Sequence, residues 1–235
     1  MTTTIKPYGD KDPYASISLI AHTQLDIDDN FDIDQMPVLA ARVSHAGDTK
    51  TGQDPEADLK LMKYLAKHKH MSVFEHMSVT FKVVIPLAMR SEWHRHRTQS
   101  FNEISMRYTD DPVGKFYVPE KFREQATRNK QSSAGDLPEH LQWKADAVMR
   151  NAYNACIESY NTLIDLGVCR EQARMVVPVG NYTEFYATAN LRNWYGFWVL
   201  RSAPEAQKEI RVYANAIDNM LSEIFPNSWK ALKNT

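Results

Sequence analysis

Residues 76–86, HMSVTFKVVIP, constrain this chain more than any other stretch. Val79, Phe81 and Val83 alternate with Thr80 and Lys82, the two-residue period of a strand with one face buried and the other wetter. Pro86, which has no backbone N–H, ends the run. The segment before it, DPEADLKLMKYLAKHKH, places Leu59, Met62 and Leu65 at helical spacing behind Asp54 and Pro55, an N-cap followed by proline at the first helical position. The segment after it, LAMRSEWHRHR, reads as a helix that delivers Arg95 and Arg97 to the next part of the chain. A half-buried strand between two helices sets the style of the fold.

The rest of the chain supplies more of the same. SISLIAH (residues 16–22) reads as a strand. The acidic run Asp26, Asp28, Asp29, Asp32 and Asp34 reads as a solvated face, and Pro37 opens a short helix through Val43. FYVPEKF suggests a short strand and a turn, and the polar, breaker-rich residues 120–139 a surface excursion. From about Pro138 to Leu166 runs a long amphipathic helix, with Trp143, Ala147, Ala152, Ala155, Ile157, Tyr160 and Leu163 as packing residues and Gly167 as its stop. A short helix CREQARMVV, a strand NYTEFYATA, a helix NLRNWYGFWVLR and a last helix PEAQKEIRVYANAIDNMLSEIF complete the chain. Its 235 residues suit one domain, 1–235.

The chemistry concentrates in Arg95–Tyr108, RHRTQSFNEISMRY. Three guanidiniums there repel one another unless an anion sits among them, and their forks match phosphate or carboxylate. The plainer alternative is a solvated charged surface with a helix start, since Ser100 and Glu103 have capping-box spacing. A net charge of −1 argues against a general nucleic-acid binder, which is normally strongly basic. The apolar runs fall far short of the roughly 18–20 residues of a bilayer span, and the N-terminus resembles no signal peptide. Cys156 and Cys169 form neither a disulfide framework nor a metal spacing. Together these features lead us to expect a cytoplasmic protein that binds anions at a local arginine cluster.

Four smaller groups stand beside that cluster. His70, Ser72, Glu75 and His76 lie where helix gives way to strand, again with capping-box spacing between Ser72 and Glu75. His94 and His96 flank Arg95, but arginines on both sides of His96 make a cation a poor guest, and no metal is expected. Arg170 and Arg174 are four apart with Glu171 beside them, a pattern common to surface ion pairs. Trp194, Phe197, Trp198 and Arg201 share one helical stripe, so Arg201 either snorkels to solvent or is buried against a partner. The sequence contains no G-x-S-x-G elbow, no G-x-G-x-x-G and no P-loop.

RHRTQSFNEISMRY resembles the R-H-R-x-x-S-x-N-E-x-S-x-R signature of flavin-dependent thymidylate synthases, the type unrelated to the cysteine-nucleophile enzyme. AARVSH, HKHMSVFEH, ARMVVP and the stretch Asn190–Arg201 look like family segments in the same order. The resemblance implies an α+β subunit, a twisted, mainly antiparallel sheet with helices packed against it. It implies reductive methylation of dUMP to dTMP, with FAD as cofactor, NADPH as its reductant, 5,10-methylenetetrahydrofolate as carbon donor and no protein nucleophile. It also implies a homotetramer whose active sites are shared between subunits.

Carried over by position, the dUMP site comprises Glu92, Arg95, Glu103, Ser105, Arg107, Arg174 and Arg201, with Ser105, Arg107 and Arg174 on the phosphate. The FAD site comprises Ser44, Ser72, Glu75, Arg95, His96, Arg97, Glu103, Asn190 and Arg192. His70 corresponds to a histidine near flavin and folate, and Arg201 to the arginine that stabilises ionisation of uracil N3. The chain departs from the pattern at Glu92, where many members have glutamine, at His94, usually apolar, at Gly196, where some have asparagine, and at Glu205, where some have histidine. A rival reading uses the arginines with Trp93, Phe101, Tyr108 and Trp194 to stack single-stranded nucleic acid.

Overall fold

A computed structural model describes residues 3–25, 31–45, 51–128 and 133–235. Five strands form one sheet: β1 (Thr4–Ile5), β2 (Ser16–His22), β3 (Ser78–Pro86), β4 (Ser100–Glu103) and β7 (Tyr182–Asn190), in the order β1-β2-β3-β7-β4. Every pairing is antiparallel. The alternation in β3 is realised as read: Val79, Phe81, Val83 and Ile85 are fully buried. In register they lie beside Ala189, Ala187, Phe185 and Thr183 of β7. The opposite face is polar, with Thr80 bonded to Thr188 at 2.8 Å and Lys82 paired with Glu184 at 2.9 Å. Mixed helix and antiparallel sheet is therefore the class of fold, as expected.

The helices are α1 (Met36–Arg42), α2 (Pro55–Lys67), α3 (Leu87–Trp93), α4 (Glu139–Asp165), α5 (Arg170–Ala173), α6 (Leu191–Ser202), α7 (Lys208–Ile224) and α8 (Pro226–Lys233). Asp54 caps α2 through the amides of Glu56 and Ala57, with Pro55 as its first residue. The apolar face of β3 and β7 joins one core with Trp93 of α3, Trp194 and Phe197 of α6, Tyr213 and Ile217 of α7, and Trp229 of α8. The chain enters α3 directly from β3 and leaves it towards β4, while α6 follows β7 without a break. The ends of α3 and α6 meet where Arg201 bonds Glu92.

Several expectations are corrected. Asp26, Asp28 and Asp29 lie outside the described residues, but Asp34 is buried, not solvated. Its carboxylate accepts the amides of Asn227 and Ser228 at 2.6 and 2.9 Å, capping α8 from far away in sequence, where the first-turn amides otherwise lack partners. Helix α4 has the expected bounds, and Gly167 follows it at φ 85°. Of its proposed packing residues, though, only Tyr160 is buried, while Trp143 is 69% exposed.

The polar excursion contains a small hairpin, β5 (Arg123–Gln125) with β6 (Ser133–Asp136). Arg123 anchors it to the buried Glu209 at 2.8 Å. FYVPEKF forms no strand; it contributes one isolated bridge, Phe116 to Asn181. Helix α8 lies beyond the elements read from the sequence.

Candidate active site

The RHR segment forms the turn between α3 and β4, and three fixtures hold it. Trp93 donates its indole N–H to Gln99 Oε1 at 3.0 Å. Asn193, at the start of α6, donates to the carbonyl of Thr98 at 3.1 Å. The third is Arg201, in the last turn of α6. Its Nε donates to His96 Nε2 at 2.9 Å, its Nη1 to Glu92 Oε1 at 3.1 Å and its Nη2 to the carbonyl of Glu92 at 2.9 Å. The buried half of the stripe is thus Trp194 and Phe197, and Arg201 resolves the cost of sitting near them by gripping the end of α3.

This grip dictates the state of His96. An imidazole nitrogen that accepts from a guanidinium cannot carry a proton, so the ring is neutral with its hydrogen on Nδ1. Burial, and then the charge of Arg201, push its pKa down to about 4. Burial and the nearby Arg90 likewise lower His94, which lies over Phe101 with ring centroids 4.1 Å apart. The departure at His94 thus occupies an aromatic niche. Arg201 uses three of its five N–H groups on Glu92 and His96, which leaves two for a ligand.

Arg95 and Arg97 flank His96 on the outside. Both are exposed, and neither side chain has a hydrogen bond or ion pair among the described residues. Ser100 and Glu103 do not begin a helix: they bound β4, which pairs with β7 along the sheet edge. The helix start that capping-box spacing offered as the plainer alternative does not form, because the pairing with β7 settles the conformation of this segment.

Glu103 sits in a bidentate ion pair with Arg90 of α3, Nε to Oε1 at 2.9 Å and Nη2 to Oε2 at 2.7 Å. It also accepts the hydroxyl of Thr183 at 2.7 Å. Sequence reasoning missed Arg90 and Thr183, since no periodicity relates position 90 to 103 or to 183.

The remaining expected residues fall into two further groups. On the 3-10 turn Met71–Glu75, Glu75 is bonded to Arg192 at the start of α6, Ser72 is exposed, and His70 precedes the turn, its ring stacked near Tyr64. Asn190 caps α6 by accepting the amide of Asn193 at 2.9 Å. Ser44 is exposed after α1.

Beyond β4, Ser105 Oγ accepts the amide of Arg107, and Arg107 pairs with Glu171 of α5 at 2.8 Å. Arg170 reaches Asp110 at 3.5 Å, and Arg174, partly buried, has no side-chain partner among the described residues. Gly196 and Glu205 are exposed, and a side chain at Gly196 would meet open space. Two described clefts, of about 640 and 500 Å³, include none of the expected site residues. Among the described residues, no cluster of three or more His, Cys, Asp or Glu could hold a metal ion, and no helix is long and apolar enough to cross a membrane.

Residues 25–227 match the family model described as thymidylate synthase complementing protein. A flavin-dependent thymidylate synthase of Thermus thermophilus is 45% identical over 200 residues, covering 85% of this chain and 72% of that one. The chain belongs to the flavin-dependent thymidylate synthase family. A relative of that name from Thermosipho africanus is 39% identical over 198 residues, 84% of this chain and 85% of its own. Among solved structures, a UMP/dUMP methylase, PolB of Streptomyces cacaoi, bound with 5-Br dUMP, superposes with a TM-score of 0.80 at 31% identity, covering 94% of this chain and 95% of that one. The family match spans every site residue the resemblance implied, from Ser44 to Arg201.

Proposed function

We propose that this chain catalyses the reductive methylation of dUMP to dTMP, with 5,10-methylenetetrahydrofolate as carbon donor and FAD reduced by NADPH, as a cytoplasmic enzyme. The observation that carries this reading is the fixed fork of Arg201, mostly buried, with two N–H groups to spare beside the exposed Arg95 and Arg97. A guanidinium held rigidly against the N3 edge of uracil stabilises charge that develops on the ring, and it need not reorganise during the reaction. Glu92, which accepts a hydrogen bond from Arg201, would lie beside that edge.

Two exposed guanidiniums suit the pyrophosphate of a dinucleotide, so Arg95 and Arg97, with His96, Glu103, Ser44, Ser72, Glu75, Asn190 and Arg192, would hold FAD. Bound flavin would supply hydride to the transferred carbon unit. Ser105, Arg107 and Arg174 would bind the nucleotide phosphate, and His70 would stand near flavin and folate. In one subunit these groups are spread over separate elements, outside the two clefts described above. A homotetramer with shared sites would complete them, and the exposed Trp143, Val148 and Met175 provide apolar surface for such contacts.

The deciding experiment adds FAD, dUMP, NADPH and 5,10-methylenetetrahydrofolate to purified protein and follows flavin absorbance, NADPH oxidation and dTMP formation. The expected result is flavin uptake and dUMP-dependent oxidation with dTMP as product. Failure to take up flavin, together with no dUMP-dependent oxidation, would sink the proposal, and flavin uptake without dTMP would leave only a flavoprotein. Cys156→Ala and Cys169→Ala are expected to stay active, because no protein nucleophile is invoked.

A further inference from the structure

We infer that Arg90 is a positioning residue for catalysis, acting through Glu103 to fix the RHR segment and β4 against each other. The inference rests on the proposed reaction. Arg90 lies on α3, ahead of Arg95, and belongs to none of the ligand-binding positions that the family resemblance implies. It engages both oxygens of Glu103, at 2.9 and 2.7 Å, and Thr183 of β7 adds a hydroxyl to Oε1 at 2.7 Å. One carboxylate therefore ties together a helix, an edge strand and the neighbouring strand β7, which carries the chain on to α6.

β4 has four residues and a single neighbouring strand, so backbone pairing alone holds it weakly. The chain beyond it immediately carries Ser105 and Arg107. The chain leaving α3 carries Arg95, His96 and Arg97, and α3 itself carries Glu92, which holds Arg201. Among the described residues the Arg90–Glu103 fork is the one ion pair between α3 and β4, and the ring of His94 over Phe101 adds only a non-directional contact beside it.

A partly buried ion pair adds little net stability over an apolar pair of the same shape, whereas the planar fork fixes orientation tightly. Three acceptor positions of Glu103 are occupied by protein donors, which leaves about one for a ligand donor, a hydroxyl or N–H.

The test compares Arg90→Met, Arg90→Lys and Glu103→Gln, singly and as the double variant R90M/E103Q, in flavin-loaded protein normalised to bound FAD. Thermal unfolding, dUMP affinity and dUMP-dependent turnover are measured together. Arg90→Met is expected to lower turnover about tenfold to a hundredfold. The double variant should be no slower than its slower parent, and Arg90→Lys should recover only part of the loss. If Arg90→Met does not fold, Arg90→Lys and Thr183→Val carry the test, each expected to reduce turnover at unchanged flavin content. Full turnover in the folded variants, with only a lower unfolding temperature, overturns the inference and leaves a structural staple. A wild-type protein with no dUMP-dependent turnover instead overturns the reaction assignment, and this inference with it.

Discussion

Arg201→Lys tests the centre of the site. The guanidinium makes three hydrogen bonds to the end of α3, to His96 Nε2, Glu92 Oε1 and the Glu92 carbonyl, at 2.9 to 3.1 Å. An ammonium on a flexible stem can keep the contact to the carboxylate but cannot span all three and still face a ligand. Two protein contacts are lost, together with the two N–H groups left over for a ligand. Loss of one preorganised donor to a developing charge costs about 3–4 kcal/mol in the barrier, on the order of a hundredfold to a thousandfold in rate. The side chain is only 16% exposed, so water replaces these bonds poorly.

The assay is dUMP-dependent NADPH oxidation at saturating FAD, with flavin absorbance as the control. Retained absorbance and a fall in kcat of roughly a hundredfold or more are expected. Wild-type kcat in Arg201→Lys would falsify the assignment, because neither the fork nor its spare donors would then matter.

Other outcomes follow from separate parts of the molecule. Ser105→Ala should weaken dUMP binding, read by titration calorimetry, without unfolding the protein; unchanged affinity would remove Ser105 from the phosphate site. Asp34→Ala strips two amides at the start of α8 of their acceptor and should cost about 2–4 kcal/mol in urea unfolding, with a loss below about 0.5 kcal/mol meaning that the cap is dispensable. For Glu209, burial alone would raise the carboxyl pKa, but the Arg123 hydrogen bond and charge outweigh it and hold the pKa below the usual 4.5. A depressed pKa stabilises the fold above the unfolded value, and that stability is lost as pH falls through the folded one. The unfolding temperature of wild type should thus exceed that of Glu209→Gln at neutral pH, and the gap should close as pH falls below the usual carboxyl value of 4.5 and through the lowered folded one. A gap that persists or widens in acid would contradict the pairing.

How far the site was legible depended on how local its cause was. His96 and Arg201 could be named in the sequence, one by its motif and the other by its place on an apolar stripe. That they bond to each other could not, because they lie 105 residues apart and meet only where the end of α6 reaches the turn after α3. Ser100 and Glu103 carry a helix-start signal that the register with β7 overrides. The acidic run looked solvated, yet Asp34 finds the amides of α8, and no local pattern announces a cap supplied from another segment.

By itself the sequence determined the elements whose causes lie within a few residues. The alternation that makes β3, the Asp54–Pro55 start of α2 and the Gly167 stop after α4 act through backbone conformation and nearby hydrogen bonds. Its motif also carried the family. Only the tertiary structure decided the strand order β1-β2-β3-β7-β4, the long-range caps and the partners of each charge. Those depend on which buried faces meet and on the expense of leaving a charge unpaired where they do. Arg90 shows the difference: in sequence it is one of several arginines near a short helix, and in the fold it is the clasp on Glu103.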